Sequence, residues 1–243
     1  MAKIMTDSKH YTDIANAIRE KTGSTEQMKP SEMPGQIGSI KSYGEGYKAG
    51  GNGVLLYATG ITHLLDKAIF TDGAELEIYV PNFSDNMEFL AKDTTGLKKL
   101  VLRCDNTDGI MNGQQAFIYS SVEILDISQW KRKLSNTTHF ASASKLVTII
   151  GAFDLSDTKS THLFLSSATN LVDVSFVPGT IFVDFSFSGC SMLSDASIQS
   201  IVDGYADMTG QTSPTLTVHP TVGAKMTDAQ KATLTAKNVT LAY

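Results

Sequence analysis

An apolar triplet recurs along this chain at an almost constant interval. Leu97, Leu100 and Leu102 stand at L-x-x-L-x-L spacing, followed by Val122, Leu125 and Ile127, then Leu146 and Ile149 with Gly151, then Leu171, Val174 and Phe176. The triplets start at 97, 122, 146 and 171, separated by 25, 24 and 25 residues. A weaker copy lies upstream, where Leu76 and Ile78 precede Leu100 and Leu102 by 24 residues. One short strand per period in the twenties means a coil whose turns stack at about 4.8 Å, the spacing of neighbouring strands. A single turn cannot hide its own aliphatic side chains, so each must be covered by the next. The predicted class is therefore α+β: a small N-terminal helical module, a leucine-rich-repeat-like β-solenoid, and an α/β C-terminal cap.

A second signal runs in phase with the first. An aromatic or a leucine stands six residues ahead of the next apolar start in "FASASKL" (Phe140 to Leu146), "LSSATNL" (Leu165 to Leu171) and "FSGCSML" (Phe187 to Leu193), and five ahead in "FIYSSV" from Phe117. Outside this periodic region, which spans 54–192 with a lead-in over 54–75, the pattern changes. Residues 1–40 carry two amphipathic helices: Tyr11, Ile14, Ala15 and Ile18 at helical spacing, then a second one with Pro30 and Pro34 at its start and Met33, Ile37 and Ile40 as its apolar side. Forty residues are too few for a self-sustaining core, so this module needs a partner or copies of itself. Residues 41–53, "KSYGEGYKAGGNG", read as a glycine hinge, because no strand precedes the glycines and no Gly-Lys-Ser/Thr follows to make a phosphate loop. Residues 193–243 form the cap: a helix through Ile198, Ile201, Val202 and Tyr205, strands in "SPTLTV" and "NVTLAY", and a helix between them opened by the capping box Thr227 to Gln230.

Composition narrows the function classes. With 20 Lys and Arg against 25 Asp and Glu, a net charge of -5, and no basic run beyond Lys131 to Lys133, the chain offers no stripe for a nucleic-acid backbone. No segment approaches the roughly 20 apolar residues that span a bilayer, and the start of the chain lacks a signal-peptide core, so synthesis in a cytoplasm without membrane insertion is expected. Two cysteines, Cys104 and Cys190, far apart, give neither a disulfide framework nor a thiolate zinc site. The five histidines are scattered, so no cofactor or metal is expected.

If the triplets point inward, alternation sends three columns outward: Lys99, Ile124, Thr148 and Asp173; Val101, Asp126, Ile150 and Ser175; Arg103, Ser128, Ala152 and Val177. From these come the candidate binding residues Arg103, Asp126, Ser128, Asp173 and Ser175. Trp130 joins them, either to stack on a sugar ring or a neighbouring protomer or to pack in the interior. The apolar members of the columns favour a contact with another subunit or partner, unless residues 54–75 or the cap fold over them. Asp126 and Asp173 are the only acids here, two turns apart and offset, which is a poor arrangement for glycan hydrolysis. No catalytic residue is assigned, and the chain is not expected to be an enzyme.

The element around Phe187, Cys190 and Leu193 resembles the A-F-x-x-C-x-x-L element of BspA-type leucine-rich repeats; elsewhere Ala143, Ala168 or Ser120 takes the cysteine position. The opening "YTDIANAIREKTGSTEQMKPSEMPGQIGSI" resembles one common in tail-associated and other virion proteins of phages infecting Gram-positive bacteria, and the C-terminal segment from Asp203 is similar to the end of repeat proteins of the same phages. The resemblance implies a virion structural protein of the tail, baseplate or head fibre, assembled in the host cytoplasm. Residues 1–40 would dock on other virion proteins through Tyr11, Ile14, Ile18, Met33 and Ile37, and the repeats would meet a host-wall glycan or surface protein. Symmetric attachment implies a homo-oligomer, with a trimer as one arrangement. Two other readings remain: a bacterial surface adhesin built on the same repeats, and a carbohydrate-cleaving tail enzyme.

Overall fold

The computed structural model describes residues 53–57, 64–79, 87–104, 110–130, 133–137, 139–141, 144–159 and 164–243. The expected helical module with Tyr11, Ile14, Ile18, Met33 and Ile37, and residues 41–52 of the hinge, lie outside the described residues. Gly53, the last residue of that hinge, opens strand β1 (Gly53–Tyr57).

The second and third members of each triplet fall on strands, whereas of the first members only Leu97 does and Val122, Leu146 and Leu171 stand two residues ahead of theirs. The strands are β2 (Ile69–Tyr79), β3 (Thr95–Arg103), β5 (Ile124–Gln129), β7 (Thr148–Phe153) and β8 (Asp173–Phe176), which pair in parallel in the order β2-β3-β5-β7-β8. Leu76 pairs with Leu100, Leu100 with Leu125, and Leu125 with Ile149. Leu100 and Leu125 are fully buried, and Ile149 and Val174 are 3% and 1% exposed. A second row, Leu97, Val122, Leu146, Leu171 and Leu193, is completely buried. At roughly 1.5–3 kcal/mol for each fully buried aliphatic, these rows dominate the cohesion of the unit, and only adjacent strands shield them.

Parallel strands need long crossovers, and here the crossovers are turns bonded to one another. Leu65 N–H donates to Leu90 O, Ala91 to Ala116 O, Phe117 to Phe140 O, Ala141 to Phe164 O and Gly189 to Ser166 O, each pair 23 to 25 residues apart. Tight turns at 117–120, 141–144, 165–168 and 187–190 close with backbone bonds between their first and fourth residues. They set a column of small buried residues: Thr94, Ser120, Ser144, Ala168 and Cys190. In the second of these turns the first and fourth places are held by Ala141 and Ser144, one residue later than the Phe140 and Ala143 expected from sequence. The aromatics keep their own stack regardless. Phe117, Phe140, Phe164 and Phe185 follow one another at ring-centroid distances of 5.2, 5.0 and 5.3 Å, so Phe164, not Leu165, continues the aromatic line. A short parallel pair, β4 (Ile110–Asn112) with β6 (Lys133–Asn136), adds a second small sheet.

At the far end the pattern stops against a helix. Helix α1 (Asp195–Gly204), capped by Ser194, lies beside β8, and its side chains take over the role of a neighbouring strand. Val174 and Phe176 N–H donate to Ser197 Oγ and Ser200 Oγ, both at 2.9 Å, while Ser197 Oγ donates to Val172 O. These bonds engage the outer edge of β8, which would otherwise template pairing with another chain. Beyond it β9 (Phe185–Phe187), β10 (Thr215–Val218) and β11 (Thr240–Ala242) form a parallel sheet of order β11-β10-β9. Helices α2 (Pro220–Lys225) and α3 (Asp228–Ala236) connect the last two strands, α3 opening with the expected reciprocal bonds of Thr227 and Gln230. Lys237 Nζ donates to Val202, Asp203 and Tyr205 O at 3.0, 3.1 and 2.6 Å, satisfying carbonyls that the end of α1 leaves open. The described chain thus mixes helices with open parallel sheets, and no closed barrel forms among the described residues.

Candidate functional site

Register fixes which side chains share the outward face of the main sheet. The first row runs Glu75, Lys99, Ile124, Thr148, Asp173, and the second Glu77, Val101, Asp126, Ile150. The third differs from the expected column. Arg103 pairs with Tyr79 and Gln129, not with Ser128, while Ala152 pairs with Ser175. The reason is local: Asp126 Oδ1 accepts both the backbone N–H and the hydroxyl of Ser128 at 2.9 and 2.7 Å, folding an extra residue into β5. In β7 the left-handed Gly151 (φ +98) accompanies a further slip.

Of the candidate residues, Arg103 is committed to an ion pair with Glu77 at 2.7 Å. Ser128 and Ser175 are exposed, and Asp126 and Asp173 are half-buried. Trp130 does not face outward. It is 5% exposed, so its ring is packed inside and is removed from the stacking surface. Asp173 receives Ser194 Oγ at 2.9 Å and Thr148 Oγ1 at 3.5 Å. With one strand between them and a two-residue offset, the backbones of Asp126 and Asp173 stand about 12 Å apart by sheet geometry. A hydrolytic pair brings its carboxyl groups within about 5 to 9.5 Å, whereas each of these is held by its own neighbours. Ile150 keeps 41% of its surface exposed among the outward residues.

Cys190 belongs to the packing. Its thiol donates to Leu165 O at 3.1 Å, and burial pushes its pKa from the ordinary value near 9 up to about 12. A thiol held protonated is a poor nucleophile. The native chain is therefore expected to leave Cys190 unmodified by iodoacetamide at pH 8, and the urea-unfolded chain to label it fully, read by mass spectrometry of its peptide. The same shift has a sign in stability. Below about pH 9 the thiol is neutral in both states and contributes its full share; above that the unfolded chain ionises first, so stability declines as pH rises toward 12. Equal labelling of native and unfolded protein would contradict the buried assignment.

An open concavity lies elsewhere, along the β9–β10–β11 sheet. A groove of about 1000 Å³ is lined by Phe182 to Ser186, by Met208 and Gln211 to Thr215, and by Thr217 and Lys159. Sequence reading missed it, although the hydroxyl-rich run "TGQTSPTLT" at 209–217 and the isolated "IFVDF" at 181–185 were the available signals.

Among the described residues no three His, Cys, Asp or Glu side chains cluster to hold a metal ion, and no helix is long and apolar enough to cross a membrane. Comparison with protein-family models, curated proteins and solved structures finds no match to this chain.

Proposed function

We propose that this chain is a bacteriophage structural protein of the tail, baseplate or head fibre. Its N-terminal residues 1–40 anchor it to other virion proteins, and a leucine-rich-repeat-like solenoid over 54–192, closed by the cap 193–243, is displayed for assembly and for binding the host surface. The phage reading rests on the resemblance of the opening segment. The display reading rests on one observation: buried aliphatic rows recur in register from Leu76 to Ile149 and on to Val174, while the residues between them form continuous outward rows. Such an arrangement serves surface presentation, because every added turn lengthens the outward face without changing the interior. Protomers attached to a symmetric particle are expected to associate as a homo-oligomer.

The test is incorporation. Tagged full-length protein expressed during infection is expected in purified particles, and protein lacking residues 1–40 is expected to be missing from them. Circular dichroism of the shortened chain separates lost docking from lost folding. Undiminished incorporation of a folded, shortened chain would remove the anchor assignment.

A further inference from the structure

The groove along the β9–β10–β11 sheet has the chemistry of a ligand site. Leu216, Val218, Phe185 and Phe187 of the β9–β10 pair are buried, so alternation turns Ser186, Thr215 and Thr217 to the opposite face, where they line the groove. Phe182, 41% exposed, lies in the same lining. The opposing loop is fixed before any ligand arrives. Met208 N–H donates to Lys237 O at 2.9 Å, Asn238 Nδ2 donates to Met208 O and Gln211 O at 3.0 Å each, and Asp207 Oδ1 accepts Thr209 N–H at 2.9 Å. A loop ordered by its own bonds has little entropy left to lose on binding.

The charge balance selects the ligand. The lining holds one cation, Lys159, and one anion, Asp184, whose Oδ1 already accepts Thr215 N–H at 2.7 Å. A phosphate polymer or an acidic peptide requires a surplus of cations. A wholly greasy ligand requires an apolar lining throughout, whereas here Phe182, Val183, Phe185, Met208 and Pro214 are interleaved with the hydroxyls of Ser186, Thr212, Ser213, Thr215 and Thr217. What remains is a neutral molecule with many hydroxyl groups and a flat carbon face, matched to hydroxyl partners and one exposed aromatic ring.

We propose that the groove binds a neutral oligosaccharide, one pyranose ring stacked on Phe182 and its hydroxyls hydrogen-bonded by Ser186, Thr215, Thr217 and Gln211. This site deepens, and rests on, the reading of the chain as a protein that meets a host surface. The open groove suits a weak single site, with Kd on the order of 0.1–1 mM, strengthened by presentation in several copies.

The experiment uses the full-length chain in solution, with trisaccharides of glucose, galactose and N-acetylglucosamine as probes, followed by saturation-transfer NMR and titration calorimetry. At least one trisaccharide is expected to bind. Phe182→Ala is expected to weaken it at least tenfold, Phe182→Trp to retain it, and Thr217→Val to weaken it severalfold. Thr217→Val decides the matter should Phe182→Ala fail to fold. Absence of binding by all three probes, binding indifferent to both substitutions, or binding of polyglycerol phosphate in place of the neutral sugars would each overturn the proposal. So would occupation by a second copy, seen as concentration-dependent mass abolished by Phe182→Ala. Particle incorporation is measured separately, so failure of the groove and failure of the virion assignment are distinguishable.

Discussion

Phe164→Ala is expected to cost about 3–5 kcal/mol of stability, the range for truncating a large buried aromatic side chain. Phe164 is fully buried, and its ring meets those of Phe140 at 5.0 Å, Phe153 at 5.3 Å and Phe185 at 5.3 Å. Those three residues belong to different turns of the chain, so the cavity would open between turns that otherwise meet through the aliphatic rows and their backbone bonds. Backbone bonds such as Ala141 N–H to Phe164 O, at 3.1 Å, hold the turns at a fixed spacing and limit how far they can collapse into the space. Urea unfolding measures the effect, with Tyr119→Ala as the comparison: Tyr119 is 60% exposed, and its loss is expected to change the unfolding free energy by less than about 0.5 kcal/mol. A drop below about 1 kcal/mol for Phe164→Ala would mean that the aromatic stack does not carry the cohesion between turns.

The rows were legible because they depend only on spacing. Leu97, Leu100 and Leu102, and their copies, are marked by an apolar spacing of three then two residues repeated at a fixed interval, and the capping box at Thr227 is a local code of four residues. Features set by hydrogen bonds between distant turns were not legible. Lys67, Asp93 and Tyr119 recur at 26-residue steps with φ of 58°, 53° and 55°, and Phe89, Gln115 and His139 repeat a second left-handed corner, yet none is glycine. The stacked turns impose that conformation at a cost of about 1–2 kcal/mol per residue, and a reader looking for Gly or Asn finds no mark there. The slip at Asp126 to Ser128 has the same origin: a side chain bonding its own backbone added a residue to β5 and displaced Ser128 from the row of Arg103.

The candidate sites divide along the same line. Asp126, Thr148 and Asp173 could be placed on the outer face from sequence, because register follows from the inward rows. Trp130 could not, since a tryptophan beside a strand end suits interior and rim equally and only the packed structure decides. The groove was beyond reach for a different reason. Its residues come from three separated segments around 159, 182–186 and 208–217, and what joins the latter two is the parallel pairing of β9 with β10 across the intervening α1. α2, six residues long, is too short for its periodicity to be read and is marked only by the His219 cap and Pro220.

Where two strands approach most closely, a single methyl group is enough to test the architecture. Gly96 in β3 has φ +76, and a Cβ there would stand 2.1 Å from Phe70 O and 2.7 Å from Phe70 C. Those are backbone atoms of β2, which cannot rotate aside. The contact has a visible cause: between the pairs Ile69 with Thr95 and Ala74 with Leu97, β2 spends five residues while β3 spends two, and the excess bulges toward Gly96. Gly73 lies on the bulge itself with nearly the same dihedral, φ +81, but a Cβ there meets nothing within 4 Å. Gly73→Ala should therefore cost only the left-handed penalty of about 1 kcal/mol. Gly96→Ala should cost roughly 3 kcal/mol or more, because strain of the backbone adds to the displacement of the neighbouring strand. Paired urea titrations of the two variants isolate the contact, since the conformational term is common to both. Equal losses would show that β2 and β3 can part at that point without penalty, and the first pair of the main sheet would then be held by its leucines alone.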